Sequence, residues 1–171
     1  MIRMVDYFPL LKGLRLEYEQ IGSEFEGTEK VVIEILSVKK QRKTVLAQAK
    51  MTVELKGKIS VSNYEIHQTA DGISTGNGIL GGRKEFTLPP SLGKKWDEQI
   101  YSCTVESLTE QVSVPAGQFK HCLKIGVLIA AGDAGSAVRY YAPDVGYVFE
   151  EYSGEERHEE VRLVSITQSP L

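Results

Sequence analysis

The sequence predicts an all-β antiparallel domain, because three features all indicate short strands joined by tight turns. Apolar residues alternate with polar ones in one segment after another. Glycine, proline, aspartate and asparagine punctuate these segments. No window keeps a 3.6-residue apolar stripe through three helical turns. We expect about nine to eleven strands, folded as a closed or half-open barrel or a strongly curved sheet, with a two-sheet β-sandwich as the alternative.

The first half of the chain contains four long candidate strands. Residues 14–18 alternate with one wet face, and residues 28–38 are apolar on both faces, which is typical of a central strand. The alternation of residues 45–55 is the most regular in the chain, with the small residues Ala47 and Ala49 on its apolar face. In residues 59–68 the alternation slips near Asn63, which suggests a β-bulge.

The run Lys39–Lys43 contains four basic residues between two of these strands. Such a run can contact nucleic acid, but it lacks interleaved aromatic residues, and the chain has a net charge of -3. A solvated hairpin tip is the better interpretation, since charged residues also discourage edge-to-edge pairing. We therefore expect no nucleic-acid partner.

A glycine-rich stretch follows at residues 71–82. It has no Gly-Lys-Ser/Thr sequence and no following helix, which excludes a phosphate-binding loop. Asp71-Gly72 and Asn77-Gly78 are tight-turn dipeptides, so a short hairpin or a loop is expected. Glycine-rich loops can also cover binding sites, and that alternative stays open.

The second half continues with candidate strands joined by Pro/Gly turns. The most legible turn is Pro115-Ala116-Gly117, because proline fixes φ, glycine accepts a positive φ, and alternating residues flank both sides. The strands are predicted at residues 96–108, 111–114, 119–131, 137–141, 147–152 and 159–168.

The length of 171 residues fits one domain covering residues 1–171. A shared apolar-Pro-x-x-x-Gly pattern at Phe8–Gly13 and Leu88–Gly93 raises the alternative of two pseudo-repeat halves, residues 7–82 and 86–168. No run of apolar residues is long enough for a transmembrane helix.

The histidines and cysteines give no catalytic or metal-binding pattern. Cys103 and Cys122 do not form a disulfide framework, and two buried free thiols are the simpler expectation. His121 and Cys122 are neighbours, so on a regular strand they point to opposite faces. Alternation places His121 on the apolar face with Phe119 and Leu123. We expect no enzyme activity, no metal and no cofactor.

Six glutamates lie near the last turn of the chain, between residues 150 and 160. A glycosidase would need two carboxylates that face each other across a cleft. Because these residues crowd one turn, we expect a solvated, charged tip.

Aromatic residues give the best candidate for a binding surface. Tyr140, Tyr141, Tyr147 and Phe149 lie on two strands joined by a turn, so some of the rings should stack across the hairpin. With Ala47 and Ala49 they form the predicted lining of a concave face that holds a lipid or another amphipathic molecule. The alternative is a protein–protein interaction or envelope-assembly domain that uses a sheet edge or the tyrosines and has no pocket.

Three motifs recur in order: Phe8-Pro9-Leu10-x-x-Gly13, Val114-Pro115-Ala116-Gly117-x-Phe119-x-x-Cys122 and Tyr140-Tyr141-Ala142-Pro143-x-Val145-Gly146-x-Val148. With them the chain resembles a widespread group of poorly characterised bacterial β-rich proteins, often lipoprotein-like. Leu16 departs from the tryptophan usual in that group. The resemblance implies an antiparallel β fold and no known catalytic residues. It also favours a periplasmic or cell-envelope location if an export signal was trimmed, whereas a full-length chain would be cytoplasmic, because residues 1–6 contain no apolar leader segment.

Overall fold

In the described part of the chain, twelve antiparallel strands form one sheet that curls into a nearly closed barrel, which confirms the predicted fold class. The computed structural model describes residues 4–130 and 135–169. The strands are Leu14–Gly22 (β1), Glu29–Gln41 (β2), Thr44–Leu55 (β3), Lys58–Gln68 (β4), Gly72–Thr75 (β5), Arg83–Thr87 (β6), Lys95–Glu98 (β7), Tyr101–Val114 (β8), Gly117–Ile129 (β9), Gly135–Ala142 (β10), Gly146–Gly154 (β11) and His158–Gln168 (β12). Within the described residues no helix is long and apolar enough to cross a bilayer.

The strand count exceeds the predicted range by one because the short strands β5 and β6 form around the glycine-rich stretch, where the sequence predicts only a short hairpin or a loop. The prediction of one strand over residues 96–108 is also wrong. Gln99 adopts a left-handed conformation with φ of 53°, and the chain turns there between β7 and β8. β8 then continues through residues 111–114, for which the sequence predicts a separate short strand.

The sheet consists of two six-stranded meanders. Strands β1 to β6 follow one another across one half, strands β7 to β12 across the other, and β1 pairs with β12 in the middle. The topology therefore divides between β6 and β7. Two pseudo-repeat halves remain the alternative that the sequence raises.

Side chains rather than a β-ladder close the seam between the edge strands β6 and β7. No ladder joins these two strands in the described part of the chain. The backbone N–H of Lys84 instead donates to the two carboxylate oxygens of Glu98, at 3.0 and 3.2 Å. Arg139 Nη2 donates to the carbonyl oxygens of Lys84 and Glu85, at 3.0 and 2.7 Å. These bonds satisfy edge groups that would otherwise stay unpaired.

The long strands β3 and β4 follow the predicted alternation, with one correction. Ala47 and Ala49 are fully buried on the inner face of β3. The predicted bulge near Asn63 is absent, since the β3–β4 register runs without a shift. The alternation slips there because Ile59 and Val61 point outward, with 65% and 56% of their surfaces exposed.

The prediction that His121 lies on the apolar face of its strand is wrong. This residue adopts a φ of 56° and is exposed, while Cys122 and Leu123 are both fully buried. A left-handed residue breaks the two-residue period, so alternation could not assign the faces on either side of it. Cys103 and Cys122 are buried free thiols, as expected.

The N-terminal segment packs across the barrel interior. The Phe8 ring lies 6.4 Å from Phe86 and 6.3 Å from Tyr141, both of which are buried. The backbone N–H of Asp144 donates to the carbonyl of Asp6 at 2.6 Å. Two of the Pro/Gly turns, at Pro9 and Pro143, are thereby brought together.

Candidate functional site

A cluster of charged and phenolic side chains occupies the barrel interior. Three strands supply it: β6, β10 and β11. Alternate residues of a strand share a face, which brings residues 83 and 85 of β6 and residues 139 and 141 of β10 to the inside. We call this set the interior charge cluster: Arg83, Glu85, Arg139, Tyr141, Tyr147 and Glu150.

A β-bulge explains how β11 contributes two residues to the cluster. Tyr147 and Glu150 are three positions apart, so a regular strand would place them on opposite faces. The register shifts, however, between Tyr140, which pairs with Phe149, and Tyr141, which pairs with Tyr147. This leaves Val148 as the extra residue of the bulge, and both neighbouring side chains can then reach the interior.

Arg83 is the centre of the cluster. Its Nη1 and Nη2 donate to the two carboxylate oxygens of Glu150 at 3.0 and 2.6 Å, and its Nε donates to Glu85 at 3.1 Å. The Tyr147 hydroxyl donates to Glu150 at 2.8 Å, and the Tyr141 hydroxyl donates to Glu85. A bidentate guanidinium with two shared carboxylates is a strong and directional arrangement.

The charges and hydrogen bonds of the cluster keep the carboxylate of Glu150 ionised. Burial alone would raise the pKa of Glu150, but the guanidinium of Arg83 and the hydroxyl of Tyr147 outweigh burial, so the pKa is lowered. Burial, followed by the nearby carboxylates, raises the pKa of both Tyr141 and Tyr147, which keeps them as protonated donors.

Two cavities lie against the cluster. The first, of about 50 Å³, is lined mainly by apolar side chains such as Leu16, Ile35 and Tyr64, and it also touches Arg83. We call it the apolar cavity. The second, of about 270 Å³, is lined on one side by Val127 and other apolar residues and on the other by charged groups. We call it the polar cavity.

Arg139 and Cys103 are the notable groups of the polar cavity. Arg139 is 4% exposed, and its Nε has no hydrogen-bond partner. The Cys103 thiol lies beside Arg139. Burial raises the pKa of Cys103, although the guanidinium acts in the opposite direction.

The loop at residues 76–82 contributes to both cavities, since Ile79 and Leu80 line each of them. Close packing of the backbone fixes this loop. A Cβ added to Gly82 would lie 2.7 Å from the carbonyl oxygen of Gly76, so a larger residue cannot fit without movement. The backbone N–H of Gly76 in turn donates to the carbonyl of Glu65 on β4 at 2.8 Å.

The six residues predicted to line a binding face are only partly brought together. Tyr141 and Tyr147 belong to the interior cluster, with ring centres 5.8 Å apart. Tyr140 and Phe149 pack on each other at 5.8 Å, on the outer side of the same hairpin. Ala47 and Ala49 are buried beside Ile66 and Tyr64 but do not line either cavity. A binding role for these residues stays a prediction.

Sequence reasoning missed the charged members of the site. Glu150 was predicted to belong to a solvated tip, which is wrong, because it is 3% exposed and ion-paired. Because Glu150 lies in a run of glutamates, nothing in the sequence indicates that it is buried. Arg139 did carry a signal, since it is a charged residue within an otherwise apolar strand, between Val138 and Tyr140. In the described residues no group of three or more His, Cys, Asp or Glu side chains is placed to hold a metal ion.

The nearly closed antiparallel barrel is shared with solved bacterial structures. One, from Bacteroides fragilis NCTC 9343, has a YmcC-like fold and is predicted to be exported. It is 16% identical, with a TM-score of 0.72 over 96% of this chain and 100% of its own. Another, from Parabacteroides distasonis ATCC 8503, is predicted to be a lipoprotein. It is 13% identical, with a TM-score of 0.66 over 97% of this chain and 100% of its own.

These likenesses establish the fold and agree with the broad resemblance to bacterial β-rich proteins. No protein-family profile matches the chain, and no curated protein matches it at a significant level. Kinship through the three sequence motifs stays a prediction.

Proposed function

We propose that the protein is a non-catalytic binding module that holds a small amphipathic molecule in the polar cavity, beneath the loop at residues 76–82. A cavity of about 270 Å³ whose lining combines the buried guanidinium of Arg139 with apolar side chains is the observation that carries the proposal. A carbonyl or hydroxyl oxygen of the ligand would face the polar side chains of the lining.

The size and charge of the cavity define the ligand. A volume of about 270 Å³ corresponds to roughly nine water molecules, so the ligand is smaller than a lipid with a full acyl chain. The wall carries three guanidiniums and three carboxylates, so an uncharged or zwitterionic molecule fits better than a strong anion. Val127, Ile129 and Ala137 would contact its apolar part.

The interior charge cluster supports a binding role rather than catalysis. Arg83 donates three hydrogen bonds to the carboxylates of Glu85 and Glu150, and the tyrosine hydroxyls donate to the same carboxylates. A general acid or base needs a pKa near the working pH and a free partner position. These groups instead bind one another and fix one wall of the cavity.

Native mass spectrometry of gently purified protein tests the proposal. We expect a co-purified small molecule in the wild type and its loss in Ala137→Leu, which narrows the cavity from β10. Ser136→Leu is the matched control. Ser136 is the neighbour of Ala137 on β10, but its side chain is exposed and lies outside the polar cavity. Wild-type protein that carries only water would contradict the proposal. So would a ligand that is retained equally by both variants.

The proposed place of action is the bacterial cell envelope. The descriptions of the two similar structures as an exported protein and a lipoprotein support this. Fractionation of cells that express the gene with its natural N-terminus tests it. Recovery in the envelope fraction is expected, and recovery only in the cytosol would contradict it.

A second function, association through a sheet edge, is favoured by a different observation. Residues Lys58–Tyr64 of β4 pair with β3 on one side, but within the described residues no strand pairs with their other side.

A further inference from the structure

The free edge of β4 is long and regular, and it lacks the features that usually prevent pairing with another strand. β5 pairs only with residues 66–68 of β4, and the carbonyl of Glu65 is taken by the loop at Gly76. Natural edge strands are usually protected by proline, bulges or inward charges. The segment Lys58–Tyr64 contains no proline and one charged residue, and its register to β3 has no bulge. By contrast, side chains cover the edges at β6 and β7.

The same segment exposes apolar side chains on its outer face. Ile59 and Val61 are exposed by 65% and 56%, among the highest values for large apolar residues of the described chain. Ser60 is also exposed, so the opposite face is accessible at this end of the segment. An edge with free backbone groups and an apolar face is suited to adding another strand.

We infer that this edge pairs with the same edge of a second copy of the chain, antiparallel and about a two-fold axis at Val61. The seven-residue window between the β3–β4 turn and Glu65 has Val61 at its centre, so a two-fold pairing uses the whole window. A C2 interface of this kind is self-complementary.

The side chains fit this register. Val61 lies opposite Val61 of the second copy, and Ile59 lies opposite Asn63, which gives one apolar stripe across the outer face. Ser60 lies opposite Ser62 on the other face. Lys58 lies opposite Tyr64, so no like charges meet across the ladder.

Cysteine cross-linking tests the register directly. In the inferred pair, residue 61 lies opposite itself at a Cα separation of about 4.5–5.5 Å, which is within disulfide range. Val61→Cys should therefore form a covalent dimer under mild oxidation. Ser60→Cys should not, because its own copy lies diagonally, about 7–8 Å away between Cβ atoms. The native thiols Cys103 and Cys122 are buried and do not interfere.

Sedimentation velocity over a range of protein concentrations tests the association without a cross-link. We expect a concentration-dependent dimer in the wild type and a monomer for Val61→Lys, which places two ammonium groups on the axis. Leu128→Lys is the control, since Leu128 is 66% exposed on the distant strand β9. A wild type that stays monomeric would overturn the inference. So would Val61→Cys cross-linking no faster than Ser60→Cys.

Discussion

Replacing Arg83 with methionine should destabilise the barrel more than any surface ion-pair change. The substitution removes three hydrogen bonds to carboxylates and leaves Glu85 and Glu150 buried without their shared cation. Breaking a buried pair from one side costs about 3–5 kcal/mol, because a charge remains unpaired in a region of low polarity. With an m-value of about 2 kcal/mol/M, the urea midpoint should fall by roughly 2 M.

Urea unfolding followed by circular dichroism measures this loss. Lys30→Met is the matched control, because Lys30 forms a surface pair with Glu17 at 3.1 Å and is 52% exposed, so its loss should cost about 0–1 kcal/mol. Glu150→Gln keeps the shape of its side chain and provides a milder second variant that should still fold. If both Arg83→Met and Glu150→Gln cost no more than the control, the cluster does not stabilise the fold as reasoned.

Three further predictions follow from the same structure. Because the pKa of Glu150 is lowered, this carboxylate stabilises the folded protein fully at neutral pH, and the stabilisation is lost as the pH falls below the ordinary glutamate pKa of 4.5. The stability of Glu150→Gln should therefore depend less on pH in acid unfolding curves. An unchanged pH dependence would contradict this. Burial raises the pKa of Cys122 to about 11, and Cys103 is also buried, so a thiol reagent at mildly alkaline pH should react with neither until the protein unfolds; prompt labelling of the native protein would refute it. Gly117 has a φ of +144°, and a Cβ added there would meet only open space. Gly117→Val should therefore lower the melting temperature by about 2–12 °C through backbone strain alone, whereas Gln118→Val should not. Equal melting temperatures of the two variants would show that the strain is absent.

The sequence predicted the fold best where strands are regular. In β3, alternation assigned Ala47 and Ala49 to the inner face correctly because no bulge interrupts the strand in its pairing with β4. At His121 a single left-handed residue reversed the assignment of faces. At Gln99 another such residue divided one expected strand into two. Positive φ at a non-glycine residue has no strong local signal, so these errors could not be avoided by periodicity.

The site was harder to predict than the fold because its partners are distant in sequence. Arg83 and Glu150 meet only when β6 curls towards β11 across the barrel. Glu150 reaches the interior because of the bulge at Val148. The bulge also explains why Tyr147 lies inside and Phe149 outside, whereas Tyr140 and Tyr141 lie on opposite faces because they are neighbours on one strand.

A high-resolution crystal structure of gently purified protein tests the central claim most directly. We predict electron density for a small organic molecule in the polar cavity, in contact with Val127 and Ala137. A cavity that contains only ordered water, or one that is closed by its own side chains, would contradict the account.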